Sequence, residues 1–201
     1  MDVSQPHHRT IFAVDVEGST ERTNTAKAGY RRVLYELVDA ALAAAGIGED
    51  ARDRFIDSGD GVMVLVHPVP RAPKTLLLDT VVPRLSALLA AFAGGRPEQQ
   101  VRLRAVLHAG EVHFDERGCY GEAMDLAFRL LNARGTKRAL RSAAVPLVLV
   151  ASDHIYTGVI RHNYRGIDAA SFAPLVYAHV AGRRHRGWVQ HVSPAADVPQ
   201  S

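Results

Sequence analysis

What the 201-residue sequence lacks narrows it first. A single cysteine, Cys119, leaves no internal disulfide and no thiolate pair to hold a structural zinc. A reducing cytoplasm is the default reading. No run of about 18 apolar residues escapes a charge or a proline, which argues against a membrane-spanning helix. The opening decapeptide, MDVSQPHHRT, is without the basic-then-apolar layout of a secretion signal. The ten histidines show neither HxxxH nor HExxH spacing, so a zinc site has no support. Charge of one sign is missing too: 24 Lys+Arg stand against 21 Asp+Glu, a formal excess of +3 that does not mark a nucleic-acid binder.

What is there looks globular, with 47% hydrophobic and 22% charged residues. We expect one domain over 9–191, with a flexible N-terminus at 1–8 and a flexible, Pro/Ala-rich tail at 192–201. Two basic clusters stand out: Lys137, Arg138 and Arg141, then Arg183, Arg184 and Arg186. They read as solvated faces, or as contacts with a phosphate ligand or a partner.

Thr10 to Val16 is a β-favouring apolar run ending at a turn, Gly18-Ser19-Thr20. Apolar residues at helical spacing then run from Thr23 to Ala45, and Gly46 stops them. Ser58-Gly59-Asp60-Gly61 joins two β-rich runs, a hairpin signal. Leu76 to Ala93 reads as a helix made irregular by Pro83. Val101 to Ala109 is a half-buried strand continuing through Phe114 to a turn at 115–118; Glu122 to Ala133 is a helix and Val145 to Ala151 a buried strand. Leu175 to Val180 and Gly187 to Val192 add edge strands. This is an α+β pattern, with helices expected on one face of a mainly antiparallel sheet.

Asp15 ends the first strand and Asp60 tips the hairpin. Read singly, the first caps a turn and the second fills a favoured turn position. If their strands are neighbours, the two carboxylates converge. Hard cations such as Mg²⁺ take one or two carboxylates plus substrate phosphates, so the pair points to a metal site. The backbone N–H groups of Gly18-Ser19-Thr20, leading into a helix, suit an anionic phosphate chain. Cys119 has no accompanying base and reads as a packing residue. Arg102, Arg104, His108 and Tyr120 read as strand-face or packing residues.

Four segments, taken together, resemble the motifs of class III nucleotide cyclases. They are FAVDVEGST (12–20), SGDGVM (58–63), VLHAGEV (106–112) and YGEAMDLAFRL (120–130). The resemblance implies a ferredoxin-like βαββαβ core with extra C-terminal strands, working as a head-to-tail homodimer with its sites at the interface. It implies two Mg²⁺ or Mn²⁺ ions per site, held by Asp15, Asp60 and the Val16 carbonyl. A nucleoside triphosphate would lie against Glu17, Gly18, Ser19 and Thr20, and its 3′-hydroxyl would attack its own α-phosphate. Arg129 and Asp125 fall where the family carries an arginine and an asparagine that reach across the dimer.

The pattern departs in two places. Asp125 replaces an asparagine, and an ionised carboxylate cannot donate a hydrogen bond. As an i, i+4 pair, Asp125 and Arg129 also read as a surface ion pair. Ile56 and Gly118 stand where adenylate cyclases of this class carry an adenine-reading lysine and acid, so UTP or CTP is expected over ATP. In this, and in its length, the chain is similar to the stand-alone pyrimidine cyclases of bacterial Pycsar-type antiphage systems, whose cyclic UMP or cyclic CMP is read by a separate effector. The expectation is a cytoplasmic enzyme making such a signal in antiviral defence, with no membrane and no nucleic-acid partner. The alternative is a degenerate cyclase fold that binds a nucleotide or partner without turnover.

Overall fold

The computed structural model describes residues 5–21, 23–94 and 100–194, and of Thr20 the backbone only. The first strand, β1 (His7–Val16), starts at His7, inside the stretch expected to be a flexible N-terminus. It carries Ile11 and Ala13 to one face and Phe12, Val14 and Val16 to the other, all at 4% exposure or less. Both faces of β1 are therefore buried, which is why its sequence reads as a run and not as an alternation. A short 3₁₀ turn, Ser19–Glu21, leads to helix α1 (Asn24–Ala44). Thr23 caps α1 by accepting a hydrogen bond from the Ala26 amide at 3.3 Å, and Leu34, Val38, Ala41 and Leu42 make its buried stripe.

The hairpin follows as β2 (Ile56–Asp57) and β3 (Gly61–Val66). Next is one continuous helical stretch, α2 (Lys74–Leu76), a π-helical turn (Leu77–Val81) and α3 (Val82–Ala93). Pro83 accounts for the π turn: its ring would clash with the carbonyl four residues back, and it has no N–H to give. By length and composition Lys74–Ala93 could cross a membrane, but Leu77, Val81, Val82, Leu85 and Leu89 are wholly buried in the core.

Then come β4 (Leu103–Asp115), β5 (Gly118–Tyr120), α4 (Glu122–Leu131) and α5 (Arg134–Ser142). They are followed by β6 (Leu147–Ser152), α6 (Asp153–Gly158), β7 (Ala173–Val180) and β8 (Arg183–Val192). The strand order is β2-β3-β1-β4-β6-β8-β7, with β5 paired to β4. β1 lies antiparallel between β3 and β4, and β4 runs parallel to β6 after the crossover through α4 and α5. This is the α+β architecture expected.

Three expectations need correction. The helices cover both faces of the sheet: α1 and α3 pack on the face of Phe12 and Val14, α4 and α5 on that of Ile11 and Ala13. A strand apolar on both sides cannot leave one face wet. The helix expected over 122–133 ends at Leu131 and is followed by the separate helix α5. Finally, β8 is not an edge strand; it is enclosed between β6 and β7, and β7 forms the edge. Residues 1–4 and 195–201 of the two expected flexible termini lie outside the described residues.

Phe12 has no exposure at the centre of the α1/α3 side. Phe12→Ala is expected to lower the unfolding free energy by about 3–5 kcal/mol, read from urea denaturation.

Candidate active site

Register brings the two aspartates together. On β1, Asp15 pairs with Gly61 of β3, so Asp60 stands at the mouth of the same strand pair. The Val16 amide donates to the Asp60 carbonyl at 3.3 Å. Position 61 has no room for a side chain, because a Cβ there would run into the carbonyl oxygen of Val14. Glycine is what allows the hairpin to come this close. Gly18, at φ +68°, turns the chain away from β1 so that Ser19 faces back, and the Ser19 hydroxyl donates to Asp60 Oδ2.

The hairpin tip is held from outside. Arg31 of α1 donates to Asp57 and to the Gly59 carbonyl, the Gly59 amide donates to Asp57 Oδ1 at 2.7 Å, and the Tyr35 hydroxyl reaches Asp57 Oδ2 at 3.2 Å. These bonds, that from Arg31 foremost, hold the Asp57 carboxyl well below the usual carboxylate range. Asp57 thus positions Asp60. The sequence signal was only an aspartate three places before another.

Asp15 is 7% exposed. Burial pushes its pKa up to about 6; Arg104 works against the rise, and the nearby Asp60 carboxyl, within hydrogen-bond reach, adds to it. Arg104 is its register partner on β4, is itself 8% exposed, and donates to Asp15 Oδ2. Both partners keep a buried atom with nothing to bond: Asp15 Oδ1 and Arg104 Nε. An unmet acceptor and an unmet donor side by side leave unfilled demand for a ligand carrying both cation and anion.

These groups line a cleft of about 590 Å³ that also takes in Val16, Glu17, Gly18 and Ser19. A neighbouring hollow of about 340 Å³, between α1 and the hairpin, shares Val16, Ser19 and Asp60 with it and adds Tyr30 and Lys27. Among the described residues no three His, Cys, Asp or Glu side chains cluster to hold a metal by themselves. Two carboxylates and a carbonyl are a partial oxygen set, the kind Mg²⁺ and Mn²⁺ complete with water and phosphate oxygens. The orphaned Asp15 Oδ1 fits such an ion.

Not all the expected residues meet here. Asp15, Val16, Glu17, Gly18, Ser19 and Asp60 do. The Glu17 carboxylate lies 3.5 Å from Arg102 and its amide donates to the Arg102 carbonyl, so it braces the turn. The Thr20 side chain lies outside the described residues. Ile56 is away from the cleft, half-buried against the core on the α4 side, because β2 faces it there. Asp125 and Arg129 are exposed on α4 and are not among the residues lining the cleft; they form no ion pair with each other among the described residues. His108 is also elsewhere, buried with Nδ1 2.8 Å from the Ser152 hydroxyl, and burial pushes its pKa down to about 4. Tyr120 stacks on His113 at 5.3 Å and is 46% exposed.

Arg104 was read as a strand-face residue, and the structure makes it part of the site. The available signal was a charge on the second residue of β4, directly before the apolar run 105–107. Asn132, Lys137 and Arg141 also line the cleft.

No protein-family model matches the sequence, and no curated protein matches it. Solved structures do. An adenylate/guanylate cyclase/hydrolase from Silicibacter pomeroyi is similar at 17% identity and TM-score 0.62, with 93% of this chain and 98% of that one covered. The adenylyl cyclase CyaB from P. aeruginosa is similar at 16% identity and TM-score 0.60, covering 92% and 94%. The guanylate cyclase domain of RhGC from Catenaria anguillulae, solved in complex with GTP, is similar at 17% identity and TM-score 0.55, covering 93% and 98%.

The folded chain holds the Asp15 proton more tightly than an unfolded chain would, at about 6 against 3.8. Its contribution to stability is therefore full below pH 3.8 and declines as pH rises through about 6. In metal-free buffer, the stability of the wild type relative to Asp15→Asn should fall across that window, measured by urea unfolding at stepped pH; a constant difference would contradict the assignment. The chain has the fold of adenylate and guanylate cyclase domains, nearly end to end.

Proposed function

We propose that this chain is a metal-dependent nucleotide cyclase that converts a nucleoside triphosphate into a 3′,5′-cyclic nucleotide and pyrophosphate. The observation that carries the reading is the meeting of Asp15 and Asp60 at one end of a cyclase fold, with an unmet acceptor on Asp15. In the reaction the 3′-oxygen forms a bond to the α-phosphorus, the bond from that phosphorus to the β-bridging oxygen breaks, and the hydroxyl proton is released. Mg²⁺ or Mn²⁺, two ions per site when bound by Asp15, Asp60 and the Val16 carbonyl, would polarise the phosphoryl oxygens and ease loss of that proton. The amides of the Gly18-Ser19 turn and the Arg104 guanidinium face the phosphates and offset their charge.

The site is completed by a second copy. Asp125 and Arg129 lie on the exposed face of α4, away from their own carboxylates, which supports their use on a partner's site in a homodimer. There Arg129 would stabilise charge developing at the α-phosphate and Asp125 would accept from a ribose hydroxyl. On the same partner chain, Ile56 and Gly118 would offer no side-chain hydrogen bond to a purine edge, which supports UTP or CTP over ATP. The cyclic product would act in the cytoplasm on a separate effector, in antiviral defence.

One observation favours a second reading. Arg104 already neutralises Asp15, and a fold that binds nucleotide without turnover could keep that pair while tolerating an aspartate at 125. Incubation with Mn²⁺ and each of the four ribonucleoside triphosphates, with products identified by mass, separates the two. We expect cyclic UMP or cyclic CMP from the wild type and at least a 100-fold loss in Asp15→Ala and Asp60→Ala. Mixing Asp60→Ala with Arg129→Ala should restore part of the activity, since one of the two sites in the mixed dimer is then intact. Nucleotide binding with no product from any triphosphate would favour the second reading, and cyclic AMP as the main product would overturn the base assignment.

A further inference from the structure

We propose that Lys137 and Arg141 of α5 form a subsite for the β- and γ-phosphates of the substrate, supplied by the same chain that supplies the two aspartates. This rests on reading the cleft as a metal–triphosphate site.

The cleft is divided by charge. Asp15, Asp60, Glu17 and Glu21 come from the β1–α1 side and the hairpin, whereas Lys137 and Arg141 come from α5. Lys137 is near enough to Asp15 to pull its pKa down. Among the described residues neither side chain makes an ion pair or a side-chain hydrogen bond, although four carboxylates line the same cleft. A purely structural basic face would be expected to use those carboxylates. The arrangement instead suits a ligand with cations at one end and anionic oxygens at the other.

Spacing explains which residues face inward. Lys137 and Arg141 are i, i+4 and share a face of α5, whereas Thr136, Ala139 and Leu140 turn into the core. Arg138, one residue on from Lys137, is exposed and outside the cleft. The helix is also fixed where a subsite needs it. The Thr136 hydroxyl donates to the Leu130 carbonyl at 2.7 Å, tying the start of α5 to the end of α4. Arg102 donates to the Leu140 carbonyl and, at 2.9 Å, to that of Ala143, and its Nε lies 3.5 Å from Glu17. One side chain thus joins the last turn of α5 to the phosphate-facing turn after β1.

A second, independent observation points the same way. Arg104, nine-tenths buried, lines this cleft and keeps an Nε with no hydrogen-bond partner. An orphaned guanidinium N–H and two basic side chains unpaired among the described residues give one cleft a set of donors for a chain of phosphates. Arginine can take phosphate oxygens in pairs, and lysine acts as a point charge.

The test is calorimetric titration of the 201-residue chain, in Mn²⁺, with three probes: α,β-methylene-CTP, CMP and inorganic tripolyphosphate. The wild type should bind the first and third more tightly than CMP. Lys137→Met/Arg141→Met should weaken both by about 10-fold or more, leaving CMP unchanged, and Lys137→Arg/Arg141→Lys should stay within about 3-fold of wild type. An equal loss for tripolyphosphate would mark recognition of the phosphate chain itself and supports the subsite; a loss for the nucleotide analogue with tripolyphosphate unchanged would overturn it. Unchanged analogue binding in the double Met variant would overturn it while leaving the cyclase reading intact. An equal loss of CMP binding would also overturn it, as a general structural effect. A wild type that binds CMP as well as the triphosphate analogue would overturn both.

Discussion

The arrangement depends on one constraint: a carboxylate, a guanidinium and a second carboxylate forced together at the end of a buried strand pair. Asp15 is nearly inaccessible, and a buried carboxylate without compensation would shed its charge. Arg104, opposite it in the β1–β4 register, supplies part of that compensation, and Asp60 opposes it. The tension is visible in the raised pKa of Asp15 and in the two unmet atoms, Asp15 Oδ1 and Arg104 Nε. A divalent ion would satisfy the first and a phosphate oxygen the second. Either alone would add like charge to one half of the pair; together they complement both. The site is thus better suited to a metal–polyphosphate complex than to a bare ion.

The surrounding fold serves that geometry. Strand β1 is buried on both sides, under α1 and α3 on one face and α4 and α5 on the other, so Asp15 cannot swing into solvent. Gly61 lets the hairpin approach, and Arg31 with Asp57 locks its tip. Arg102 links the turn after β1 to α5. Asp125 and Arg129, exposed on α4 and unpaired among the described residues, are the positions that the proposal assigns to a second chain.

Much of this was legible in the sequence, for physical reasons that differ from element to element. The run from Thr10 to Val16 and the Asp-Gly turn at 60–61 are local signals, and they placed both aspartates correctly at strand ends. The first helix was set by its apolar spacing and its glycine stop, and the irregular third by Pro83. Other features depend on pairing partners far away in the chain. Arg104 becomes a site residue only because the β1–β4 register sets it opposite Asp15, and no local pattern encodes register between strands 89 residues apart. Helix α5 was missed because its polar face faces the cleft and its apolar positions are only Ala139 and Leu140, too few to announce a period. The two-sided covering of the sheet is hidden for a related reason: an apolar run shows that a strand is buried, but which helices cover each face depends on contacts far apart in the chain.

The most direct test of the central claim is to follow free Mn²⁺ by electron paramagnetic resonance while α,β-methylene-CTP is added to the 201-residue chain. If Asp15 and Asp60 share the ions with the phosphates, the wild type will deplete the free signal in a nucleotide-dependent way, and Asp15→Ala and Asp60→Ala will each lose most of that depletion. Depletion that is as strong in both variants as in the wild type would show that the two carboxylates do not hold the metal.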